Sequence, residues 1–363
     1  MLDLARPRLA SGARDGSSRR GDTGVVNPLV VAVPSKGRLQ ERTDAFFARA
    51  GLRVARQGGS RDYRGGFEGV ENIEILFLSA SEITAQLASG TAHLGVTGAD
   101  LVHETVPDAA RKLTLLAPLG FGHADVVVAV PRAWIDVHSM ADLDDVAAAL
   151  RARTGQRMRV ATKYMNLTRR FFGEHGLADY RIVESAGATE GAPASGAAEI
   201  IVDITTTGAT LAANALKTLD DGTILKSEAQ LVASLMAPWD VTHREAARSL
   251  LQRVTAEETA RFMREIKVDA PASANVALAR PPKKFGAKRA ESGTGSPSRF
   301  FVRREEAHGF CDWLIAQGAT TVTVQELDFV YTATNVLWEK LKGRLEAEKA
   351  SAGRAHPASK LAG

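Results

Sequence analysis

The chain has 363 residues, of which 45% are hydrophobic and 24% are charged, a composition typical of a globular protein of about two domains. Its one cysteine, Cys311, excludes an intrachain disulfide and cysteine-based zinc sites. The lack of a disulfide favours a reducing compartment, and we expect a cytoplasmic protein. No apolar run approaches the ~20 residues of a membrane span, so we expect no membrane partner.

The positive charge is concentrated in polar segments. The formal net charge is +4, but residues 1–27, 281–299 and 349–363 carry net charges of +2, +4 and +3, which leaves −5 for the rest. These segments are poor in apolar residues, a pattern typical of disorder. We predict disordered tails at 1–27 and 346–363 and a linker at 268–299. An acidic body argues against nucleic acid as a partner.

Strand and helix patterns alternate after the first tail. The apolar run Pro28–Val33 predicts a buried strand, and an amphipathic helix follows it. Ile73–Leu78 predicts the next strand, followed by a helix for which Ser79 or Ser81 is a candidate cap. His93–Thr97 predicts the third strand. This alternation predicts a parallel sheet covered by helices.

The same pattern begins again at Asp125–Val130. Further strands are predicted at Arg159–Thr162, Arg181–Glu184 and Glu199–Ile204, with a helix between the first two. The sequence therefore predicts an α/β protein with two lobes and a cleft between them. Lobe I is predicted to comprise residues 28–122 and 218–267, and lobe II residues 123–217.

The carboxyl-terminal third of the chain has a different pattern. Pro238–Lys267 is predicted as one long helix with Leu250, Val254 and Phe262 on its apolar side. Residues 300–345 have a strand–helix–strand pattern, which predicts a small α+β region.

One segment has the features of a phosphate-binding turn. An apolar strand ends at Asp203, and Thr205–Thr210, with Gly208 among them, leads directly into a helix. Such a turn exposes backbone N–H groups and hydroxyls that suit a phosphate dianion. Asp203, at the carboxyl end of its strand, is a candidate acceptor for ribose hydroxyls. The alternative is a capped helix with no ligand.

The same segment resembles the phosphoribosyl-diphosphate (PRPP) loop of phosphoribosyltransferases. Type I members have two adjacent acidic residues before the loop, whereas here Ile204 follows Asp203. The wider sequence resembles ATP phosphoribosyltransferase, the first enzyme of histidine biosynthesis. The motifs that carry this resemblance follow in family order at residues 33–39, 60–63, 95–101, 159–167 and 184–203.

The resemblance implies a fold and a reaction. Family members have two α/β lobes like those of type II periplasmic binding proteins, with the site in the cleft. They transfer the phosphoribosyl group of PRPP to N1 of ATP and release pyrophosphate with Mg²⁺ bound to it. The implied partners are ATP, PRPP and further copies of the chain. Short forms of the enzyme use a histidyl-tRNA-synthetase-like regulatory subunit, and long forms add a small domain that binds histidine.

The resemblance also implies roles for individual residues. The PRPP 5′-phosphate is expected at Thr205, Thr206, Thr207, Gly208, Ala209 and Thr210, and a ribose hydroxyl at Asp203. The nucleotide is expected at Gly98, Asp100, Leu101 and Tyr164. The expected catalytic residues, which contact the phosphates or the leaving pyrophosphate, are Lys36, Arg61 and Arg64. Residues expected to reach Mg²⁺ through water are Glu184 and Glu190.

Some features depart from the family pattern or have a simpler explanation. Many relatives have an arginine where this chain has Ser79, and Arg64, Arg38 and Arg169 are candidates to replace it. Residue type alone also allows Tyr164 as a core aromatic residue and Lys36 as a solvated lysine. Two alternative functions stay open: a type I phosphoribosyltransferase acting on another base, and a non-catalytic two-lobe binding module.

Overall fold

The computed structural model describes residues 27–56, 63–185, 187–271, 280–290 and 298–354, with side chains described up to residue 350. Three β-sheets with surrounding helices form this part of the chain. Two of the sheets form the predicted α/β lobes, and the third belongs to a smaller α+β domain. Across these ranges, no helix is long and apolar enough to cross a membrane.

The described residues form sixteen strands. In chain order they are β1 (Leu29–Pro34), β2 (Val54–Arg56), β3 (Arg64–Phe67), β4 (Ile73–Leu78), β5 (Leu94–Gly98), β6 (Leu113–Pro118), β7 (Asp125–Pro131), β8 (Met158–Thr162), β9 (Tyr180–Glu184), β10 (Ile200–Thr205), β11 (Leu216–Leu225), β12 (Ala229–Ser234), β13 (Met263–Asp269), β14 (Lys288–Ala290), β15 (Ser298–Arg303) and β16 (Thr321–Gln325).

Ten α-helices accompany these strands in the same described ranges. They are α1 (Gly37–Arg49), α2 (Ala80–Ser89), α3 (Ala99–Thr105), α4 (Ala109–Lys112), α5 (Met140–Thr154), α6 (Met165–Glu174), α7 (Ala209–Ala213), α8 (Val241–Phe262), α9 (Ala307–Ala316) and α10 (Val336–Arg354).

The two larger sheets share one plan. The lobe I sheet has the order β2-β3-β4-β1-β5-β12-β6, and the lobe II sheet the order β11-β7-β10-β8-β9. In each sheet, three parallel strands are followed by one antiparallel strand. That antiparallel strand, β7 or β12, is the first strand along the chain after it crosses into the lobe. The loops after the parallel strands lie at one edge of each sheet, where α/β proteins usually bind ligands.

Two short crossings connect the lobes. The outgoing crossing follows β6 and the returning one follows β11, and they pair with each other. The N–H of Leu119 donates to the carbonyl of Ala229, and the N–H of Ala124 donates to the carbonyl of Ser227. In return, the N–H of Ala229 donates to the carbonyl of Phe121, and all three distances are 2.9 Å. These hydrogen bonds hold the two crossings together where the lobes meet.

The core of lobe I includes a helix from the end of the chain. Leu250 and Val254 of α8 pack on the sheet, and so do Leu337, Leu341 and Leu345 of α10. The three α10 leucines recur every four residues, so they form one apolar stripe on the helix. Lys340 also donates to the carbonyl of Leu116 in β6, at 3.0 Å.

The small domain is an antiparallel sheet with one helix against it. Its order is β14-β15-β13-β16, and α9 covers one face. Phe300 and Phe310 are completely buried between sheet and helix, with their ring centroids 5.3 Å apart. This domain lies in the chain between α8 and α10, and both of these helices belong to lobe I.

The structure corrects the prediction of one helix over Pro238–Lys267. The helix ends at Phe262, whose side chain is 58% exposed, and Met263 begins strand β13. Ile266 and Val268 are buried on one face of that strand, in the two-residue alternation of a strand. The helical interpretation failed because helix and strand follow one another with no turn residue between them.

Other predicted boundaries also differ from the structure. Residues 218–225, predicted in lobe I, lie in β11 of lobe II. The predicted linker 268–299 contains β14 of the third sheet, and the predicted tail from 346 continues α10 as far as Arg354. A polar, basic composition is typical of disorder, but Phe285 packs in the core of the small domain, and Leu345, directly before the predicted tail, packs in the core of lobe I. The predicted 1–27 tail lies outside the described residues, apart from residue 27.

Candidate functional site

Several cations surround the carboxyl ends of β1 and β4. Lys36 immediately precedes α1 and is exposed. The guanidinium of Arg56 donates from Nη2 to the carbonyl of Ser35 at 3.3 Å, and its Cζ lies 3.7 Å from the ring centroid of Phe77. Arg56 is thereby fixed beside Lys36 by a hydrogen bond and a cation–π contact. Arg56 is not among the site residues that the sequence predicts.

Of the two predicted catalytic arginines, the structure describes Arg64. Arg64 forms an ion pair with Glu74 at 2.8 Å, and its side chain is 69% exposed. Arg61 lies outside the described residues. Of the other candidate cations, Arg38 and Arg169 are exposed on α1 and α6. Of these described arginines, Arg56 is the one that forms a hydrogen bond at the end of β1, with the carbonyl of Ser35.

Ser79 acts as a helix cap. Its Oγ accepts from the backbone N–H of Glu82 at 3.3 Å, and its own N–H donates to the Glu82 carboxylate at 2.8 Å. This reciprocal capping box begins α2. Ser79 was one of the two caps considered from the sequence. Its hydroxyl is therefore engaged locally, and any cationic role in this region requires another residue.

Asp100 lies at the junction between the lobes. It is 7% exposed, near the start of α3. Its Oδ2 accepts from the Tyr164 hydroxyl at 2.9 Å, and its Oδ1 accepts from the Ser227 hydroxyl, also at 2.9 Å. Ser227 Oγ in turn accepts from the Asp100 backbone N–H. These contacts join lobe I, lobe II and the returning crossing, with Gly98 and Leu101 directly beside them.

Tyr164 is 2% exposed and lies at the start of α6. Burial raises the pKa of its hydroxyl far above the usual value, and the Asp100 carboxylate raises the pKa further. The hydroxyl therefore stays protonated and acts as a donor. Lys163 lies against the ring, with Nζ 5.2 Å from its centroid.

The predicted PRPP loop connects β10 to α7. Gly208 has a φ of +74°, a left-handed conformation that favours glycine, and its N–H donates to Thr205 Oγ1 at 2.8 Å. Thr206 Oγ1 donates to the carbonyl of His123 in the outgoing crossing at 2.9 Å. Among the described residues, no hydrogen bond uses the backbone N–H of Thr206, Thr207 or Thr210. The loop thus presents donors to solvent near the lobe junction.

Asp203 precedes this loop and has a charged neighbour on each side. Its Oδ1 lies 3.9 Å from Lys163 Nζ and accepts from the backbone N–H of Ile204 at 2.8 Å. Burial raises the pKa of its carboxyl, and the negative charge of Glu190 also raises the pKa. Glu184 ends the outer strand β9 and is exposed. Of these two glutamates, Glu190 is therefore the one whose charge is seen to act on Asp203.

A second link between the lobes was missed from the sequence. The Glu104 carboxylate in α3 accepts from the backbone N–H groups of Asn166 and Leu167 in α6, at 3.0 and 2.9 Å. Asn166 Nδ2 donates to the Glu104 carbonyl at 2.8 Å. Glu104 is 7% exposed. No motif indicates this residue, because its partners are backbone groups 62 and 63 residues away.

The structure thus brings the predicted nucleotide residues into one junction, and the predicted PRPP loop contacts the outgoing crossing through Thr206. Lys36 and Arg64 remain at the lobe I edge, where Lys36 is exposed and Arg64 forms its ion pair with Glu74. Lys163 could have been found from the sequence, since it follows β8 just as Lys36 follows β1. In the part of the chain that the structure describes, no three His, Cys, Asp or Glu side chains form a metal cluster.

Comparison with known proteins gives consistent results. A family model for ATP phosphoribosyltransferase matches residues 79–256. The ATP phosphoribosyltransferase of Bradyrhizobium diazoefficiens is 53% identical over 320 residues, covering 88% of this chain and 98% of the relative. That of Afipia carboxidovorans is 54% identical over 326 residues, covering 89% and 100%.

Among solved structures, an ATP phosphoribosyl transferase (HisG:HisZ) complex from Thermotoga maritima aligns with 62% of this chain and 96% of its own. The TM-score is 0.49, with 25% sequence identity. At more than half identity over nearly the whole length of curated relatives, this chain belongs to the ATP phosphoribosyltransferase family.

Proposed function

We propose that the lobe junction of this chain catalyses the family's reaction, the first step of histidine biosynthesis. N1 of ATP attacks the anomeric carbon of PRPP, the bond from that carbon to the pyrophosphate oxygen breaks, and 1-(5-phosphoribosyl)-ATP forms. The observation that carries this assignment is the set of Tyr164–Asp100–Ser227 hydrogen bonds. It joins both lobes beside a loop with unused backbone donors, so two phosphorylated substrates can bind side by side.

The loop Thr205–Thr210 is proposed to hold the PRPP 5′-phosphate. The free N–H groups of Thr206 and Thr207, with the Thr207 and Thr210 hydroxyls, are suitable donors to a dianion. Gly208 and Ala209 complete the turn. Thr206 is also bound to His123 of the crossing, so the phosphate would be anchored beside the crossing between the lobes.

Asp203 is proposed to accept hydrogen bonds from the ribose hydroxyls. The pKa of its carboxyl is raised by burial, and Lys163 at 3.9 Å favours the ionised acceptor. Mg²⁺, held by PRPP, would neutralise charge on the pyrophosphate. Glu190, and more remotely Glu184, are proposed to reach that ion through its water shell, because Mg²⁺ keeps several waters.

The leaving pyrophosphate is proposed to be stabilised by Lys36, Arg56, Arg61 and Arg64. Arg56 takes the part that an arginine at the Ser79 position plays in many relatives, because it is fixed at the end of β1. Cations placed where charge develops commonly contribute about 3 kcal/mol to the transition state. We expect Arg56→Gln to lower kcat about 100-fold with little effect on the Kd for PRPP.

The nucleotide is proposed to bind against Gly98, Asp100, Leu101 and Tyr164. Tyr164 and Asp100 are hydrogen-bonded to each other in this structure, so their positions are fixed before ATP arrives. Further copies of this chain, and a histidyl-tRNA-synthetase-like regulatory subunit, are proposed as protein partners. The single cysteine fits a location in the reducing cytoplasm.

The test is turnover with defined substrates. Purified protein with ATP, PRPP and Mg²⁺ is expected to release pyrophosphate and to develop the absorbance of phosphoribosyl-ATP. Turnover with another base but not with ATP would assign the chain to a different acceptor. Binding of PRPP without any turnover would support the non-catalytic module instead.

The PRPP loop has its own test. Thr207→Val keeps the shape of the side chain but removes one hydroxyl, and we expect the KM for PRPP to rise about tenfold. Thr321→Val, on the exposed edge strand β16, is the matched control and should leave the KM unchanged. Equal KM values for the two variants would show that the phosphate binds elsewhere.

A further inference from the structure

Helix α6 receives its amino-terminal cap from the opposite lobe. The first N–H groups of a helix need acceptors from outside it, and the residue before α6, Tyr164, provides no side-chain cap. The Glu104 carboxylate of lobe I fills this role by accepting from Asn166 and Leu167. The positive end of the helix dipole also favours a carboxylate at this position.

This cap depends on the arrangement of the lobes. Glu104 is 7% exposed, and a buried carboxylate requires hydrogen-bond donors to offset its lost hydration. The described donors to its side chain are the two backbone N–H groups of α6. If the lobes moved apart, both the carboxylate and the helix end would lose these partners. The contact therefore favours the arrangement of the lobes in this structure, in which they touch at α3 and α6.

The same contact fixes the nucleotide residues. Asp100 and Glu104 are four residues apart in α3, so they share one face of the helix. Asp100 accepts a hydrogen bond from the Tyr164 hydroxyl, while Glu104 accepts from the backbone N–H groups of Asn166 and Leu167. The turn from Tyr164 to Leu167 is thus bound at both ends to α3.

We propose that Glu104 is a positioning residue that couples closure of the lobes to placement of Tyr164 in the nucleotide site. This inference rests on the proposed function, because it concerns the residues to which ATP is assigned. Glu104 does not contact substrate in this scheme. It acts through α6, and its loss should affect the nucleotide more than PRPP, whose loop is attached to the crossing.

The experiment compares Glu104→Gln with Glu199→Gln. Glu199 is the matched control because its carboxylate also accepts a backbone N–H, from Arg159 at 2.6 Å, but within lobe II alone. We expect Glu104→Gln to raise the calorimetric Kd and the KM for ATP about tenfold, with kcat and the Kd for PRPP changed less than threefold. Glu104→Asp keeps the charge and should restore part of the ATP affinity.

Two results would overturn the proposal. One is unchanged ATP affinity in Glu104→Gln. The other is an equal loss of ATP affinity in both glutamine variants, which would indicate general destabilisation. A wild-type protein that binds ATP but produces no phosphoribosyl-ATP would refute the proposed function. The comparison of ATP Kd values among the variants would still decide the role of Glu104.

Discussion

His93 makes the stability of lobe I sensitive to mild acid. Its ring is 3% exposed, with Nδ1 accepting from the backbone N–H of Val30 at 3.1 Å. The proton of the neutral ring is therefore on Nε2, which donates to the carbonyl of Pro238 at 3.1 Å. The rings of Trp239 and His243 pack around it. Protonation of Nδ1 would place two N–H groups against each other in a buried site.

Burial lowers the pKa of His93 from 6.5 to about 4, and the nearby His243 lowers the pKa as well, against opposing effects of the Pro238 carbonyl and Asp240. The unfolded chain therefore binds a proton below pH 6.5 that the folded chain does not bind until about pH 4. Stability from this group is complete above pH 6.5 and is lost as the pH falls towards 4. At about 1.4 kcal/mol per pH unit, the loss reaches about 2 kcal/mol at pH 5.

The assay is urea unfolding followed by tryptophan fluorescence at pH 7.5, 6 and 5. His93→Asn keeps an acceptor for Val30 but cannot be protonated. The variant should be less stable at pH 7.5, because it loses the ring contacts, yet it should lose about 2 kcal/mol less than the wild type between pH 7.5 and pH 5. Carboxylates titrate in both proteins, so the difference isolates His93. The same pH slope in both proteins would refute the reasoning.

Three further changes test packing and backbone geometry. Leu341→Ala should cost about 3 kcal/mol because Leu341 is completely buried in the lobe I core, whereas Glu346→Ala on the exposed face of the same helix should change the free energy of unfolding by less than about 0.5 kcal/mol. Gly90→Ala should destabilise the protein more than Gly155→Ala: both glycines have positive φ, but a Cβ at Gly90 would lie 2.6 Å from a backbone carbonyl oxygen, while the space at Gly155 is open. Tyr164→Phe should lower stability by about 1 kcal/mol through loss of the Asp100 bond, and a melting temperature equal to that of the wild type would contradict the importance of this link.

The sequence predicted the parts of this fold that depend on local pattern. Short apolar runs bounded by turn residues marked β1, β4, β7 and β10, because a strand in the middle of a sheet that is covered on both faces needs nearly continuous apolar residues. The threonines and glycine of Thr205–Thr210 likewise predicted the turn between β10 and α7, which is proposed to bind phosphate. The sequence did not separate α8 from β13, because their junction has no glycine or proline.

Contacts between distant residues were harder to predict. Arg56 reaches the site through a short strand at the sheet edge, and Glu104 through backbone donors of another lobe. Neither has a local signature, since the Arg56 contacts depend on how the lobe I sheet assembles and the Glu104 contacts on how the two lobes meet. Two separate motifs pointed to Asp100 and Tyr164, but the hydrogen bond between them forms only in the tertiary structure.

The way the small domain is attached has a mechanical consequence. Its first strand continues directly from α8, and after its last strand the chain returns along lobe I, where the N–H of Val330 donates to the carbonyl of Ala256 at 2.9 Å. Asn335 then donates to the carbonyl of Arg248 at 3.1 Å, and α10 enters the lobe I core. A module fixed at two points on one rigid body cannot swing freely as a tethered one does. A force that a bound molecule or a neighbouring subunit applies to the small domain is therefore transmitted to lobe I. The sheet of that lobe supports Lys36 and Asp100.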